Sequence, residues 1–254
     1  MVRAMFNKNK IMKLMLILGF ATTCMLQAYA LIPVKINPFA EQAQKVASRE
    51  IVVLVHGLMR TSLSMAPLKF YLQRHGYEVR IYSYPSPRYS IHQHAQQLNY
   101  FIKQLEAENP GVKIHFVTHS MGGIITREAL SRLSKKEFNQ IGYLVMMAPP
   151  NQGSKLAKLS TNIFPILKSM IKPLSELSSE HSAYVHRVPI PPLKMGIIAG
   201  RYDAKVPPEA ARMDGFAEPI VISTTHTFIM NHPEAKKLIV TFLEKGTFKG
   251  KQGQ

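Results

Sequence analysis

Residues 113–127 read KIHFVTHSMGGIITR, and they predict a strand that passes directly into a helix. The first half is a short apolar run with aromatic and β-branched residues, which is typical of a buried strand. From Met121 to about Leu133, apolar residues recur at roughly helical spacing. Almost nothing is left for a loop. The residue at the junction, Ser120, is therefore expected in a strained turn, with its side chain held out at the carboxyl edge of a sheet.

The junction matches the G-x-S-x-G pattern of a nucleophile elbow except at one position. Gly122 and Gly123 remove the Cβ atoms that would collide where the helix meets the strand. Thr118 stands where the pattern has its first glycine, and its branched side chain is expected to reshape the turn slightly. On this motif alone two interpretations stay open. Ser120 is a nucleophile, or it only caps the helix of an ordinary strand-turn-helix.

Strands and helices alternate along the chain on both sides of this junction. Such alternation predicts a mostly parallel sheet of about six strands, with helices on both faces and chemistry at the carboxyl ends of the strands. Besides the strand before Ser120, the predicted strands are 51–55, 77–84, 141–148, 193–199 and 219–223. The predicted helices are 62–73, 90–108, 121–133 and 231–243.

A chain of 254 residues, of which 46% are hydrophobic, is long enough for one such domain, which we expect at 51–245. Residues 31–50 are predicted to be an extended lead-in, and 246–254 a loose tail. In residues 1–30, basic residues precede an apolar run, and Ala28-Tyr29-Ala30 follows as a small-residue cleavage site. That order predicts a secretory signal peptide and export to the periplasm or beyond after cleavage near Ala30. An uncleaved N-terminal membrane anchor is the alternative.

The cysteine content, the net charge and the histidine spacing indicate which bonds, partners and metal sites to expect. The only cysteine, Cys24, lies inside the predicted signal peptide, so the exported domain is expected to hold together without disulfides. The net charge of +17 is spread along the chain and can attract an anionic membrane surface. No nucleic-acid motif accompanies it, and we predict no nucleic-acid partner. His92 and His94 would not share a helix face and no H-E-x-x-H pattern occurs, so no metal and no cofactor are predicted.

A serine nucleophile needs a general base, and the base needs an orienting carboxylate. The chain has only two aspartates, and Asp203, just after a predicted strand, is favoured over Asp214, which resembles a turn residue. Among ten histidines, His226 follows the last strand and precedes the last helix, and it is favoured over His232. The order Ser120, Asp203, His226 is the one expected with this type of elbow.

Acyl transfer also needs two backbone N–H groups aimed at the developing oxyanion. One is expected from Met121, directly after Ser120, and the other from Leu58, in the loop after the first core strand. His119 is expected to pack beside its strand rather than to reach Ser120. The positions predicted to support the elbow and the oxyanion loop are His56, Gly57, His119, Gly122 and Gly123.

Together these segments resemble the α/β-hydrolases of the bacterial secreted lipase and esterase type, over about residues 51–245. Val55-His56-Gly57-Leu58 resembles their oxyanion segment and residues 117–123 their elbow, while Asp203 and His226 fall at their acid and base positions. Residues 148–154, APPNQGS, resemble a further segment that recurs in secreted members.

The resemblance implies the α/β-hydrolase fold and a serine hydrolase that cleaves a carboxylic ester, from a small molecule or a lipid, through an acyl-enzyme. An acyltransferase or amidase on the same residues is one alternative, and a non-catalytic binding protein with the same fold is another. Residues 154–190 fall where the family inserts a cap or lid. Their apolar stripe predicts either buried helix packing or a mobile lid over an acyl pocket, and it consists of Leu156, Leu159, Ile163, Phe164, Leu167 and Ile171, with Pro165 between two short helices.

Overall fold

The computed structural model describes residues 50–154 and 171–249. All described residues belong to one compact unit. The predicted signal peptide, almost all of the lead-in and all of the apolar stripe except Ile171 lie outside the described residues. Within the described ranges, no helix is long and apolar enough to span a membrane.

In the described part of the chain, six strands form one sheet in which every neighbouring pair is parallel, in the order β2-β1-β3-β4-β5-β6. This confirms the mostly parallel sheet of about six strands predicted from the alternation, and it agrees with the α/β-hydrolase fold that the resemblance implied. The strands are β1 (Ile51–Val55), β2 (Glu78–Tyr82), β3 (Ile114–His119), β4 (Ile141–Met147), β5 (Met195–Gly200) and β6 (Ile220–Ile222).

β1 and β3 are buried along their whole length because helices cover both faces of the sheet. Every residue of β1 and of β3 is buried, as expected for apolar runs without polar alternation. β1 pairs with β3 residue for residue, so that Val55 lies beside Thr118 at the carboxyl edge. This register brings the loop after β1 next to Ser120.

The helices lie on the two faces of the sheet and form two cores. They are α1 (Ala66–Arg74), α2 (Ile91–Glu108), α3 (Met121–Ser131), α4 (Lys135–Phe138), α5 (Pro208–Ala211) and α6 (Pro233–Lys245). Leu98 of α2 and Ile124 of α3 pack with Val53 on one face. Leu68 of α1 and Ile239 of α6 pack with Leu54 on the other. Alternate residues of β1 thus serve opposite cores.

Several predicted ends move by a few residues, for local reasons. The first predicted helix starts as a 3-10 turn, Ser62–Met65, and α1 begins only at Ala66, just before its proline. Ser90 is the N-cap of α2 in a capping box with Gln93. In the segment predicted to be a loose tail, the ring of Phe248 lies 4.7 Å from the ring of Phe242. The chain is therefore still packed against the domain three residues after α6.

Candidate active site

Ser120 sits at the sharp junction of β3 and α3 with φ 54° and ψ −129°, a conformation that costs a non-glycine residue about 1–3 kcal/mol. Its backbone N–H donates to Met147 O at 2.9 Å, which fixes the junction against β4. A Cβ on Gly122 would lie 2.6 Å from the carbonyl oxygens of Val55 and His56. Helix α3 can start this close to β1 only because that Cβ is missing.

Thr118 occupies the position of the missing glycine without preventing the turn. The side chain is fully buried, and its hydroxyl lies 3.5 Å from Val145 O. A Cβ on Gly123 would lie 3.2 Å from Thr118 Oγ1. The branched side chain therefore packs beneath the start of α3 rather than at the exposed face of the turn.

Three side chains predicted from separate loops meet at the carboxyl edge of the sheet. The Ser120 hydroxyl is 3.1 Å from His226 Nε2, and His226 Nδ1 is 2.6 Å from Asp203 Oδ2. With Nδ1–H donating to the carboxylate, Nε2 is free to accept the proton of the Ser120 hydroxyl. Both Asp203 and His226 are buried, whereas Ser120 is partly accessible.

The carboxylate of Asp203 is held by its own loop. Its Oδ1 accepts from the backbone N–H of Lys205 at 2.9 Å and from that of Val206 at 2.8 Å, which leaves Oδ2 for His226. Asp214, the alternative aspartate, is exposed in a turn. The rival histidine, His232, is the N-cap of α6. Neither belongs to the cluster of Ser120, His226 and Asp203.

His119 is a buried neighbour of this cluster. Its Nε2–H donates to the backbone carbonyl of His226 at 2.9 Å, and the two rings lie 4.8 Å apart. Burial, and secondarily the nearby His226, hold the pKa of His119 well below its ordinary value. His119 is therefore neutral and positions the loop that carries His226.

The loop after β1 is fixed by contacts that the sequence did not reveal. Tyr84 O–H donates to His56 O at 2.7 Å, and the two rings stack at 4.3 Å. Ser86 Oγ accepts from Met59 N–H at 3.0 Å. Burial lowers the pKa of His56, so its ring packs as a neutral group. Tyr84 and Ser86 escaped prediction because they follow a strand that carries none of the reacting groups.

The backbone N–H groups of Leu58 and Met121 are the two predicted to form the oxyanion hole. Neither has a hydrogen-bond partner in the described part of the chain. The first N–H of a helix has no partner within the helix, which explains Met121. Gly57 allows the loop of Leu58 to approach, since a Cβ there would lie 2.9 Å from Ser120 Cβ and 3.0 Å from His119 Nδ1.

A cavity of about 200 Å³ opens beside Ser120 and His226. Most of its other walls are apolar, and Arg60 and Lys205 also reach it. Sequence reasoning did not single out these two cations, because nothing in the local pattern distinguishes them from other surface charges. The lining residues are Leu58, Met59, Arg60, His119, Ser120, Pro150, Ser154, Leu174, Leu177, Lys205, Val206 and His226.

Part of the segment predicted to be a cap contributes to this cavity. Leu174 and Leu177 line it, and Ser154 bridges to Ser178 in parallel-strand fashion. Arg127 links the loop after β4 to the same segment. Arg127 Nη1 donates to Asn151 Oδ1 in that loop, and Arg127 Nη2 donates to Val188 O in the segment, each at 2.8 Å. Burial lowers the pKa of Arg127 to about 10, which leaves the side chain cationic at neutral pH.

In the described ranges, no group of three or more His, Cys, Asp or Glu side chains is placed to hold a metal ion.

The family model described as serine aminopeptidase, S33 (Hydrolase_4) matches residues 46–189, a range that contains the β1 loop and the elbow. The chain belongs to this family of α/β-hydrolases. No curated protein matches this hydrolase in sequence.

Solved structures show the same fold at low identity. The mature lipase BlEst2 of Bacillus licheniformis superposes with a TM-score of 0.63 at 17% identity, over 85% of this hydrolase and 96% of the lipase. Lipase B of Aspergillus fumigatus gives 0.61 at 14% identity, over 84% and 55% of the two chains. The metagenomic carboxyl esterase MGS0156 superposes with a TM-score of 0.57 at 19% identity, over 72% of this hydrolase and 66% of the esterase. Identities this low support the fold and leave substrate to be argued from the site.

Proposed function

We propose that the chain is a serine hydrolase that cleaves carboxylic esters through an acyl-enzyme, with Ser120, His226 and Asp203 as its catalytic triad. One observation carries the proposal. The Ser120 hydroxyl, the His226 ring and the Asp203 carboxylate form one hydrogen-bonded row, and Ser120 and His226 line the same cavity. A serine that only capped a helix would need neither a buried histidine–aspartate pair nor an adjoining cavity.

In the first half of the reaction, Ser120 Oγ attacks the ester carbonyl carbon while its proton passes to His226 Nε2. The imidazolium that forms is stabilised by Asp203, which stays ionised. The carbonyl oxygen becomes an oxyanion, and the N–H groups of Leu58 and Met121 donate to it. Loss of one such donor typically costs about 3 kcal/mol of transition-state stabilisation. The tetrahedral intermediate then collapses, and His226 gives its proton to the departing alcohol.

In the second half, water replaces the alcohol. His226 accepts a proton from the water as the oxygen attacks the acyl carbon, and it returns that proton to Ser120 as the carboxylic acid leaves. The same two N–H groups stabilise the second oxyanion. Ester cleavage therefore needs only groups that this chain supplies.

The walls of the cavity favour an apolar acyl group. Leu58, Leu174, Leu177 and Val206 present hydrocarbon beside Ser120, and apolar surface gains about 25 cal/mol per Å² when it is removed from water. Lipases and a carboxyl esterase among the similar structures agree with an ester of this kind. A phospholipase of Legionella pneumophila, PlaB, shares the fold at a TM-score of 0.56, which adds an acyl lipid to the candidate substrates.

Peptide cleavage, suggested by the family's description, is the second candidate. An aminopeptidase must hold the α-ammonium group of its substrate, which requires a carboxylate or a set of carbonyl groups near the nucleophile. The charged side chains that line the described cavity walls outside the triad are two cations, Arg60 and Lys205. This electrostatic setting opposes an ammonium group and favours an ester.

The test compares matched substrates on purified protein. A short-chain acyl ester, the corresponding amide and an aminoacyl anilide are offered at equal concentration to the wild-type protein and to Ser120→Ala. We expect the ester to be cleaved at the highest kcat/KM and the Ser120→Ala variant to lose this activity. Faster cleavage of the aminoacyl anilide would establish the aminopeptidase instead, and no Ser120-dependent cleavage of any of the three would reject the proposal.

Export forms part of the same proposal and rests on the basic, apolar and small-residue order of residues 1–30. Expression of the full chain in a bacterium, followed by fractionation and N-terminal sequencing, tests it. The expected product lies in the periplasm or medium and begins at Leu31. A membrane-bound product that retains its first residues would establish the anchor.

A further inference from the structure

Two cationic side chains reach the cavity of Ser120 from different loops. Arg60 follows β1 and is half-buried, and its Nη2 donates to Thr227 Oγ1 at 3.0 Å. Lys205 follows β5 and is exposed. Both line the cavity that Ser120 and His226 share. Both charges also contribute to lowering the pKa of His119, the residue directly before Ser120. Their field therefore acts where the substrate would react.

Neither cation forms a salt bridge with a carboxylate in the described part of the chain. The carboxylate of Asp203 lies in the same loop as Lys205, but it is engaged by His226 and two backbone N–H groups. No carboxylate is among the described residues that line the cavity, so the charged part of this lining is cationic.

The catalytic loops themselves fix the backbone of both residues. Arg60 N–H donates to Gly57 O at 3.3 Å, in the turn that carries Leu58. Lys205 N–H donates to the Asp203 carboxylate, and Lys205 O accepts from Ser154 Oγ at 2.9 Å. The backbone of both residues is therefore fixed relative to Ser120, and the Arg60 guanidinium is also held by Thr227. A guanidinium with a single hydroxyl partner among the described groups keeps donors available for a ligand.

A guanidinium and an ammonium at a cavity suit an anion that carries several acceptor oxygens. Arginine pairs with phosphate or carboxylate through two parallel hydrogen bonds, and lysine adds a point charge. We propose that Arg60 and Lys205 bind a phosphate or carboxylate group of the ester substrate, so that this hydrolase prefers anionic esters to neutral ones. The inference rests on the proposed function, since it assigns the substrate class of the same site.

The test uses short-chain esters that stay monomeric, so that a charged lipid surface cannot imitate recognition by the site. The set keeps one acyl chain and varies the charge of the alcohol: monobutyryl glycerol is neutral, monobutyryl glycerol phosphate is anionic and butyrylcholine is cationic. A monoalkyl succinate, with a carboxylate on the acyl side, separates the two positions that an anion can take. The readout is kcat/KM for each ester relative to the neutral one.

The variants are Arg60→Gln and Lys205→Gln, with Arg60→Lys as the charge-conserving variant. Arg74→Gln and Lys237→Gln remove one exposed positive charge each at sites outside the cavity, and they control for net charge. Because hydrogen bonds to charged groups are the stronger ones, each Gln variant in the cavity should lower the preference for an anionic ester by about tenfold. Arg60→Lys should keep most of the preference for the anionic ester, and added salt should weaken this preference in the wild-type protein.

The outcomes separate the two proposals. A preference for at least one anionic ester that falls in the cavity variants and survives in the two controls supports the inference. Equal kcat/KM for the neutral and anionic esters, or an equal fall in the preference in cavity and control variants, overturns it while Ser120-dependent ester hydrolysis stands. If no ester is cleaved in a Ser120-dependent way, the proposed function itself fails.

Discussion

At the scale of single residues, the carboxylate of Asp203 is the most constrained group of the site. It accepts from His226 and from the N–H groups of Lys205 and Val206, and it is almost fully buried. An amide at this position would favour the wrong tautomer of His226 and would not stabilise the imidazolium. We expect Asp203→Asn to lower kcat about ten-thousand-fold in steady-state ester hydrolysis.

The control for that substitution is Asp214→Asn, since Asp214 is exposed in a turn. It should change kcat by less than about threefold, because isolated surface substitutions are usually mild. A larger loss in Asp214→Asn than in Asp203→Asn would show that the acid has been assigned to the wrong loop.

Glu106, on α2, gives a prediction about stability and pH. Its Oε1 is buried without a hydrogen-bond partner among the described residues, and desolvation, followed by the charge of Glu137, raises its pKa to about 7. The folded state holds the Glu106 proton more tightly than the unfolded chain does. The contribution of this carboxyl group to the free energy of unfolding is therefore fully present below about pH 4.5 and is lost as the pH rises towards 7.

Glu106→Gln should therefore raise the free energy of unfolding at pH 8 relative to the wild-type protein, by about 2 kcal/mol, and bring little gain at pH 5. Urea unfolding at both pH values measures this difference. Glu108→Gln, an exposed position on the same helix, is the control and should bring no comparable gain. A gain from Glu106→Gln that is the same at both pH values would contradict the assignment of the proton to Glu106.

The meeting of several candidate-site residues could be predicted because the proposed roles leave few candidates. Asp203 is one of two aspartates, and the order of Ser120, Asp203 and His226 selected one histidine from ten. Tyr84 was beyond reach because its role is a contact with His56 across 28 positions of sequence, and a single sequence does not encode such a pairing locally.

At the scale of elements, the β3–α3 junction depends on where a methyl group can fit. A Cβ on Gly122 would lie 2.6 Å from two backbone carbonyl oxygens, whereas one on Gly123 would meet Met146 and Thr118 side-chain atoms at about 3.2 Å. Backbone cannot move aside, but the end of a methionine side chain can. Gly122→Ala should destabilise the protein by about 3 kcal/mol and reduce ester hydrolysis severely.

Gly123→Ala is the matched control for Gly122→Ala. The higher helix propensity of alanine partly offsets the tighter contact of its Cβ with the side chains of Met146 and Thr118. It should shift stability by no more than about 1 kcal/mol in urea unfolding. Equal losses in the two variants would mean that the junction is not held by the contact of Gly122 with β1.

The elements were predictable to the extent that their signals are local. The apolar run of β1 and the periodicity of α2 gave their bounds within one residue. The predicted strand at 77–84 is shorter in the structure, Glu78–Tyr82, because Tyr84 turns away to bond His56. Ends set by tertiary contacts of this kind leave no trace in propensity or periodicity.

At the scale of the whole molecule, a buried polar cluster joins the described part of the segment predicted to be a cap to the helices. Glu128 of α3 accepts from Tyr184 O–H at 2.9 Å and from Arg132 Nη2 at 2.6 Å. Hydrogen bonds to a buried charge contribute about 1.5–3 kcal/mol. Tyr184→Phe should therefore lower the free energy of unfolding by about 2 kcal/mol, as measured by urea denaturation.

Tyr202→Phe removes the same hydroxyl from a side chain that is 65% exposed, and it should leave the free energy of unfolding within about 0.5 kcal/mol of the wild-type value. If the two variants are equally stable, the contact between Tyr184 and Glu128 does not hold the cap region to α3 in solution.

The sheet order explains why residues from four loops converge on one edge. In parallel strands every carboxyl end lies on the same side, so the loops after β1, β3, β5 and β6 meet there, which the predicted alternation already implied. The width of the cavity and the positions of Arg60 and Lys205 were not predictable, because they depend on how neighbouring loops pack.

Covalent labelling gives the sharpest test of Ser120 as the nucleophile. Purified protein is treated with a fluorophosphonate, digested and mapped by mass spectrometry, beside Ser120→Ala and the exposed control Ser223→Ala. We expect one adduct, on the peptide that contains Ser120, in the wild-type protein and in Ser223→Ala, and none in Ser120→Ala. An adduct on a different serine, or labelling of Ser120→Ala at the wild-type rate, would contradict it.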